Sequence, residues 1–307
     1  FELFMKLREK ADVIAFDQRG TGLSNQLPNC PYSVDFELKR AIDKPEYVQK
    51  TTDYISKCLK FWEQENVNLN AYNTTESAKD IEDLRRALGV DKISIWGISY
   101  GSHLAFEYIR LFEKNIDKMV LASLEGPDDT IKLPQNTEDF VYQIAELAKE
   151  NYGSDVRYPH LKEKIIKVHE RLKKQPVKAS YRNRRGGIDT VGISNFELQS
   201  AIATFYLKNP QDSKNLPKVY THMYNGDFSQ VAPNVMIMKR YLFSRIRPMS
   251  FAMDMQSGVS NERRKLVKQQ INTSLLGSNI NFLLFEWMTV LEFPQLPNEF
   301  RELNNNR

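Results

Sequence analysis

The run Gly97-Ile98-Ser99-Tyr100-Gly101 sets one hydroxyl between two glycines, directly after Lys92-Ile-Ser-Ile-Trp96 and directly before Ser102 to Tyr108. The first flank is β-branched and the second has helical spacing, so the order is strand, G-x-S-x-G turn, helix. That order describes a nucleophile elbow, a strained turn that lifts a serine hydroxyl above a sheet edge. The chemistry it suits is acyl transfer, with Ser99 attacking a carbonyl carbon. The Tyr100 backbone N–H and the helix N-terminus then face the anion that forms beside Ser99. Gly97 and Gly101 are expected to be glycine because a Cβ at either would meet the neighbouring strand or helix.

A serine hydroxyl needs a base, and the base needs a third group to hold it. The sequence offers four histidines, His103, His160, His169 and His222. His103 lies one helical turn past Ser99 and points along the helix body. His160 and His169 belong to a charged helical stretch and are read as facing solvent, and His222 is read as a packing residue. None fits the base. The simplest account places the acid and the base beyond Arg307 and reads the chain as a fragment that is nearly inert alone. Losing the base typically costs on the order of 10⁶ in kcat.

The elements around the elbow follow from local pattern. Asp12-Val-Ile-Ala-Phe16 reads as a strand running into the glycine-containing loop Asp17 to Ser24. Thr75 to Leu88 is an amphipathic helix with Ala78, Ile81, Leu84 and Leu88 on one face, capped by Thr74 or Thr75 and stopped by Gly89. Asp117 to Ser123 is a further buried strand. Three strands alternating with helices predict a parallel α/β sheet, here a partial one. After Gly126-Pro127 the pattern turns helical, at 138–151, 160–175, 196–206 and 259–276, with a hairpin tip at Arg182 to Gly187. The expected division is therefore 1–127 as partial core with the elbow, 128–295 as a mostly helical cap and 296–307 as a return toward the core.

Composition narrows the partners. The chain has 307 residues, 43 basic against 39 acidic, and 41% hydrophobic content. That balance, with no basic stripe interleaved by aromatics, argues against nucleic acid. No apolar run is long enough to span a membrane. The oligomeric state is not readable from the sequence. Cys30 and Cys58 are either two unrelated thiols or one disulfide of an exported protein, and the histidine spacing gives no zinc site.

Three motifs carry a family resemblance: Asp17-Gln-Arg-Gly-Thr-Gly-Leu-Ser24, Ser77-Ala-Lys-Asp-Ile-Glu-Asp-Leu-Arg85 with Leu88-Gly89, and Gly97-Ile-Ser-Tyr-Gly101. In this order they resemble the α/β-hydrolase peptidases of the prolyl and tripeptidyl aminopeptidase type. Asp254 to Ser260 and the Phe300-Arg301 region are similar to the cap and cap exit of that family. The resemblance implies a serine exopeptidase acting near free peptide N-termini, with no cofactor or metal, Ser99 as nucleophile and Tyr100 as one oxyanion donor. It implies a pairing of Cys30 with Cys58, as in exported relatives. The family's His-Gly-Gly-Pro-Gly segment and its triad Asp and His are absent from these residues. An aminopeptidase also needs a carboxylate for the substrate's α-ammonium, for which Glu125 and Asp254 are candidates. Each has a structural alternative, Glu125 as a turn cap before Pro127 and Asp254 as surface. An esterase on the same fold is the competing activity.

Overall fold

The computed structural model describes residues 2–151, 158–243 and 245–302. It opens with a short exposed helix, α1 (Glu2–Leu7), and a long irregular stretch before α2 (Lys44–Gln64). The Asp43 side chain accepts from the Glu46 N–H, and Pro45 sits in the first turn of α2, where its missing N–H costs nothing. The buried face of α2 carries Tyr47, Thr51, the adjacent Tyr54 and Ile55, Cys58 and Trp62, otherwise spaced three or four apart. Cys58 is bonded to Cys30, with Cα atoms 5.4 Å apart.

Helix α3 (Thr74–Ala87) begins one residue earlier than its apolar periodicity suggests. Its cap is Asn73 rather than Thr74 or Thr75, because the Asn73 Oδ1 reaches the Glu76 N–H at 2.8 Å. Gly89 follows its end with φ +65°, the left-handed conformation that lets the chain leave a helix. Strand β1 (Ile93–Ile98), helix α4 (Tyr100–Phe112) and strand β2 (Ile116–Ala122) complete a parallel βαβ unit. Ile95 stands opposite Met119, Gly97 opposite Leu121 and Ile98 opposite Ala122.

The expected strand at Asp12–Phe16 is not formed. The segment has no ladder partner among the described residues, and Ile14 and Phe16 are exposed. Residue type favours an extended chain there, but pairing requires a neighbour. The parallel sheet therefore has two strands among the described residues, with Trp96, Ile98 and Val120 open to solvent.

The rest is a helical insertion holding one hairpin. Its elements are α5 (Pro134–Asn151), α6 (Leu161–Lys174), β3 (Val177–Arg182), β4 (Ile188–Ile193), α7 (Asn195–Phe205), α8 (Pro210–Ser213), α9 (Leu216–Tyr224), α10 (Ala232–Ile237), α11 (Pro248–Ser257), α12 (Asn261–Ile271) and α13 (Leu284–Val290). β3 and β4 pair antiparallel, and the Asn183 Oδ1 closes the tip by accepting from the Arg185 and Gly187 N–H groups. α7 starts with a reciprocal capping box between Ser194 and Glu197. α10 runs on into a π-turn, Met238–Leu242, which drives Lys239 inward against Glu197 at 2.9 Å, both side chains fully buried.

Burial is uneven. One continuous core joins α2 to the helical insertion. The βαβ unit has only a small cluster, Ala78, Leu104 and Tyr108, flanked by half-buried Ile81, Ile93 and Ile95. After α13 the chain returns beneath α4: the Leu296 N–H donates to the Gln256 carbonyl at 2.7 Å, and Phe300 is buried edge-on against His103. Residues 303–307 of the expected return segment lie outside the described residues.

Candidate active site

Ser99 sits between β1 and α4 with φ 55° and ψ −124°, a conformation that costs an L-residue on the order of 1–3 kcal/mol and persists only where its surroundings impose it. Those surroundings are visible. The Ser99 N–H continues the ladder to the Ala122 carbonyl at 3.1 Å, and its own carbonyl accepts from the Ser102 N–H at 2.8 Å and the Ser102 hydroxyl at 2.6 Å. Ser102 Oγ in turn accepts from the Glu125 N–H at 2.8 Å, which ties the elbow to the exit of β2. Although Ser99 stands at the N-cap of α4, its hydroxyl makes no capping bond, and the residue is exposed. Tyr100 is the first residue of α4, so its N–H has no acceptor within the helix.

The two flanking glycines differ. A Cβ on Gly97 would lie 2.7 Å from the Gly101 carbonyl oxygen and 3.2 Å from Leu121 Cδ2. A Cβ on Gly101 would meet nothing within 4 Å beyond its own helix. The expected collision thus holds at 97 and not at 101, because the crowding comes from β1 passing under the first turn of α4.

His103 is buried beneath the elbow rather than over it. Its Nδ1 lies 3.0 Å from the Gly126 carbonyl, which can only accept, so the neutral ring carries its proton there. Nε2 then accepts from the Ser257 hydroxyl at 3.2 Å, and the Ser257 and Thr74 hydroxyls are bonded at 3.2 Å. The Thr74 hydroxyl is bonded at 3.0 Å to the Tyr100 phenol, which also donates to Met253 Sδ at 3.5 Å. Burial lowers the His103 pKa and keeps the ring neutral. This chain of hydroxyls joins α3, α4, α11 and the turn after β2. Its partners lie 26 to 183 residues apart, and no local pattern announces them.

The remaining histidines are engaged elsewhere. His160 is exposed beside Glu163. His169 does not face solvent; it is buried between Asn195 and Tyr220, and burial lowers its pKa to about 4. Its place in a lysine-rich helix hid the apolar face formed with Ile165, Val168 and Leu172. His222 is not a packing residue either, since its half-exposed ring pairs with Asp227 at 3.0 Å.

Glu125 and Asp254, from the β2 exit and from α11, both raise the pKa of the buried Tyr100 phenol through their charge, after the larger effect of burial. The turn before Pro127 is capped by Asp129, which accepts from the Gly126 N–H at 3.0 Å, and not by Glu125. The Glu125 carboxylate instead pairs with Lys132 at 2.7 Å, and Lys132 also donates to the Asp129 carbonyl at 2.6 Å. Asp254 is half-buried; desolvation and then repulsion from Glu125 push its pKa up to about 7, against a smaller opposing pull from Lys132. Lys132 is the site residue that sequence reasoning missed. Among the described residues, no group of three His, Cys, Asp or Glu could hold a metal ion, and no helix is long and apolar enough to cross a membrane.

Two of the sequence motifs form one physical unit. The Arg19 guanidinium donates Nε to Asp80 Oδ2 at 2.6 Å and Nη1 to the Ala71 carbonyl at 2.7 Å, locking the 17–24 loop onto the start of α3.

Comparison with known proteins agrees with the fold. Over 132 residues the chain is 26% identical to serine protease Hip1 of Mycobacterium tuberculosis (strain ATCC 25618 / H37Rv), covering 40% of this chain and 25% of that protein. Over 124 residues it is 29% identical to tripeptidyl aminopeptidase of Streptomyces lividans, covering 38% and 22%. The matches thus span about a quarter of each relative's length. The alpha/beta hydrolase fold family matches residues 1–237, which include the βαβ unit and its elbow, and the chain belongs to that family.

Proposed function

We propose that the chain carries the nucleophile and the amine-reading side of a serine aminopeptidase. Ser99 attacks the scissile carbonyl, the Tyr100 N–H takes one side of the oxyanion, and the acyl-enzyme formed on Ser99 is released by water. The observation that carries the reading is the pair of carboxylates beside the elbow: Lys132 is ion-paired with Glu125, while Asp254 has no ion-pair partner among the described residues and feels Lys132 only as a weaker, more distant charge. A peptide's α-ammonium placed beside Asp254 supplies the missing partner and favours the ionised carboxylate there. The α5–α13 insertion acts as the cap that limits access to short, free N-termini.

None of the four histidines is hydrogen-bonded to the Ser99 hydroxyl: His103 and His169 have both ring nitrogens engaged, His222 pairs with Asp227 and His160 stands beside Glu163. The 307 residues alone therefore turn over little substrate, and the base and its acid belong to residues outside them. The Cys30–Cys58 bond suits an oxidising compartment and an exported protein.

The test is hydrolysis by the complete gene product of a tripeptidyl amide, its N-acetylated form and a short acyl ester. An aminopeptidase releases the fluorophore from the first and loses most of its kcat/KM on the second. Fast ester turnover with no preference for a free amine supports the esterase reading instead.

A further inference from the structure

The β3–β4 hairpin is lopsided in charge. From Val177 to Ile193 it holds four cations, Lys178, Arg182, Arg184 and Arg185, against one carboxylate, Asp189. The fold sets the two signs apart. Ala179, Val191 and Ile193 face the core and are buried. Asp189 lies on that same side of β4, where its carboxylate accepts from the Tyr181 phenol at 3.4 Å. The opposite side carries Lys178, Ser180 and Arg182 on β3 and Ile188 and Thr190 on β4. The Ser180 and Thr190 hydroxyls are bonded at 2.8 Å, and Arg182 stands directly across from Ile188.

Nothing neutralises the tip. Arg182, Arg184 and Arg185 are exposed, and none has a carboxylate partner among the described residues. That separates them from Arg19, Arg85, Arg110 and Arg263, each bonded to a carboxylate at 2.6 to 2.7 Å. Arg240, exposed on the adjoining π-turn, adds a further charge nearby. It opposes Asp189 at the Tyr181 phenol, whose pKa is raised by burial first and by Asp189 second. The tip also has a fixed shape: the Asn183 N–H donates to the Gly187 carbonyl at 2.9 Å, and Gly186 turns the chain at φ +84°. Beside these arginines Ile188 is 74% exposed.

We infer that this tip docks reversibly on an anionic lipid surface, its arginines on headgroup phosphates and Ile188 in the interfacial layer. Guanidinium groups pair bidentately with phosphate, which any polyanion could offer. Ile188 selects the bilayer, because an apolar side chain gains burial at the acyl boundary and gains nothing from a soluble acidic polymer. Arg182 and Ile188 share one face of the hairpin, so a single approach seats both. Each arginine near a charged bilayer is worth about fivefold in partitioning and the isoleucine about tenfold, together on the order of 10³. That is less than one acyl chain supplies, so the tip orients the protein at a surface rather than anchoring it.

The test is sedimentation of the complete gene product with sucrose-loaded vesicles of phosphatidylcholine alone or with roughly a third phosphatidylglycerol, at about 0.1 M and 1 M salt. Polyglutamate in solution serves as competitor. The parent should bind the anionic vesicles at least about tenfold better than the neutral ones, and high salt should remove the difference. Arg184→Gln with Arg185→Gln should weaken binding about 25-fold. Ile188→Ser should weaken it about tenfold and leave the salt dependence in place. Unchanged thermal unfolding by circular dichroism confirms that these exposed replacements leave the fold intact. Equal binding to the two vesicles, or binding that both variants retain, overturns the inference. Binding that is lost in the arginine variant, retained in Ile188→Ser and abolished by polyglutamate overturns the bilayer as partner and assigns the tip to an acidic polymer.

Discussion

The two glycines of the elbow should respond in opposite ways to the same substitution. At Gly97 an alanine Cβ would sit 2.7 Å from the Gly101 carbonyl oxygen, where ordinary contact begins at 3.4 Å. The first turn of α4 must therefore lift from β1 by about 0.7 Å, or β1 must bend. Overpacking of this kind costs about 1–3 kcal/mol, and here the displaced group is backbone, which yields less readily than a side chain. At Gly101 the added methyl enters open space, and the residue has an ordinary negative-side φ inside a helix. Alanine there should stabilise by about 0.4–1 kcal/mol by restricting the unfolded chain. For a chain this long, 1 kcal/mol corresponds to about 2 °C in Tm. Thermal unfolding followed by circular dichroism should place Gly97→Ala about 2–6 °C below the parent and Gly101→Ala about 1–2 °C above it. Gly97→Ala should also depress reactivity at Ser99, because the lifted turn carries the hydroxyl with it. Equal Tm shifts, or a stable Gly97→Ala with unaltered Ser99 chemistry, would refute the claim that β1 dictates the elbow.

Asp254 has a folded pKa of about 7, above its unfolded value, so it favours the folded state at low pH and that contribution is lost as pH rises from about 4 through 7. Asp254→Asn should flatten the fall in Tm between pH 5 and 8; an unchanged slope would place the carboxylate in water. Replacing both Cys30 and Cys58 by alanine opens a loop with a sequence separation of 28 residues and should cost about 3–4 kcal/mol, read from urea unfolding; an unchanged midpoint would show that the bond does not constrain the chain. Lys239→Met leaves Glu197 buried without its cation and should cost about 3–5 kcal/mol, whereas adding Glu197→Gln should recover a large part of it. A double variant no more stable than Lys239→Met would argue against an uncompensated charge as the cause.

The elbow was legible because its signal is local: six residues of strand, a turn and a helix specify one another. The hairpin tip and four of the nine helices described in the insertion, α5, α6, α7 and α12, were legible for the same reason. Asp12–Phe16 misled because β propensity reports residue type, while a strand exists only with a partner. The histidines misled because their environments are set from far away, His169 by Tyr220 and His103 by Ser257. Lys132 was invisible because a lysine seven residues after a glutamate looks like surface until the turn at Gly126 to Asp129 folds it back. The resemblance to aminopeptidases supplied Glu125 and Asp254 as candidates; the structure supplied Lys132, the cation paired with Glu125.

The central claim is that Ser99 is a displayed nucleophile whose base is not among these residues. Imidazole supplied in solution can stand in for a missing histidine. The 307-residue chain should be incubated with a fluorophosphonate probe, with and without imidazole, and the adduct mapped by mass spectrometry. The account predicts slow labelling at Ser99 that rises with imidazole concentration and vanishes in Ser99→Ala. Rapid labelling of Ser99 without imidazole would show that the chain holds its own base, and a dominant adduct on any other serine would contradict the assignment of the nucleophile.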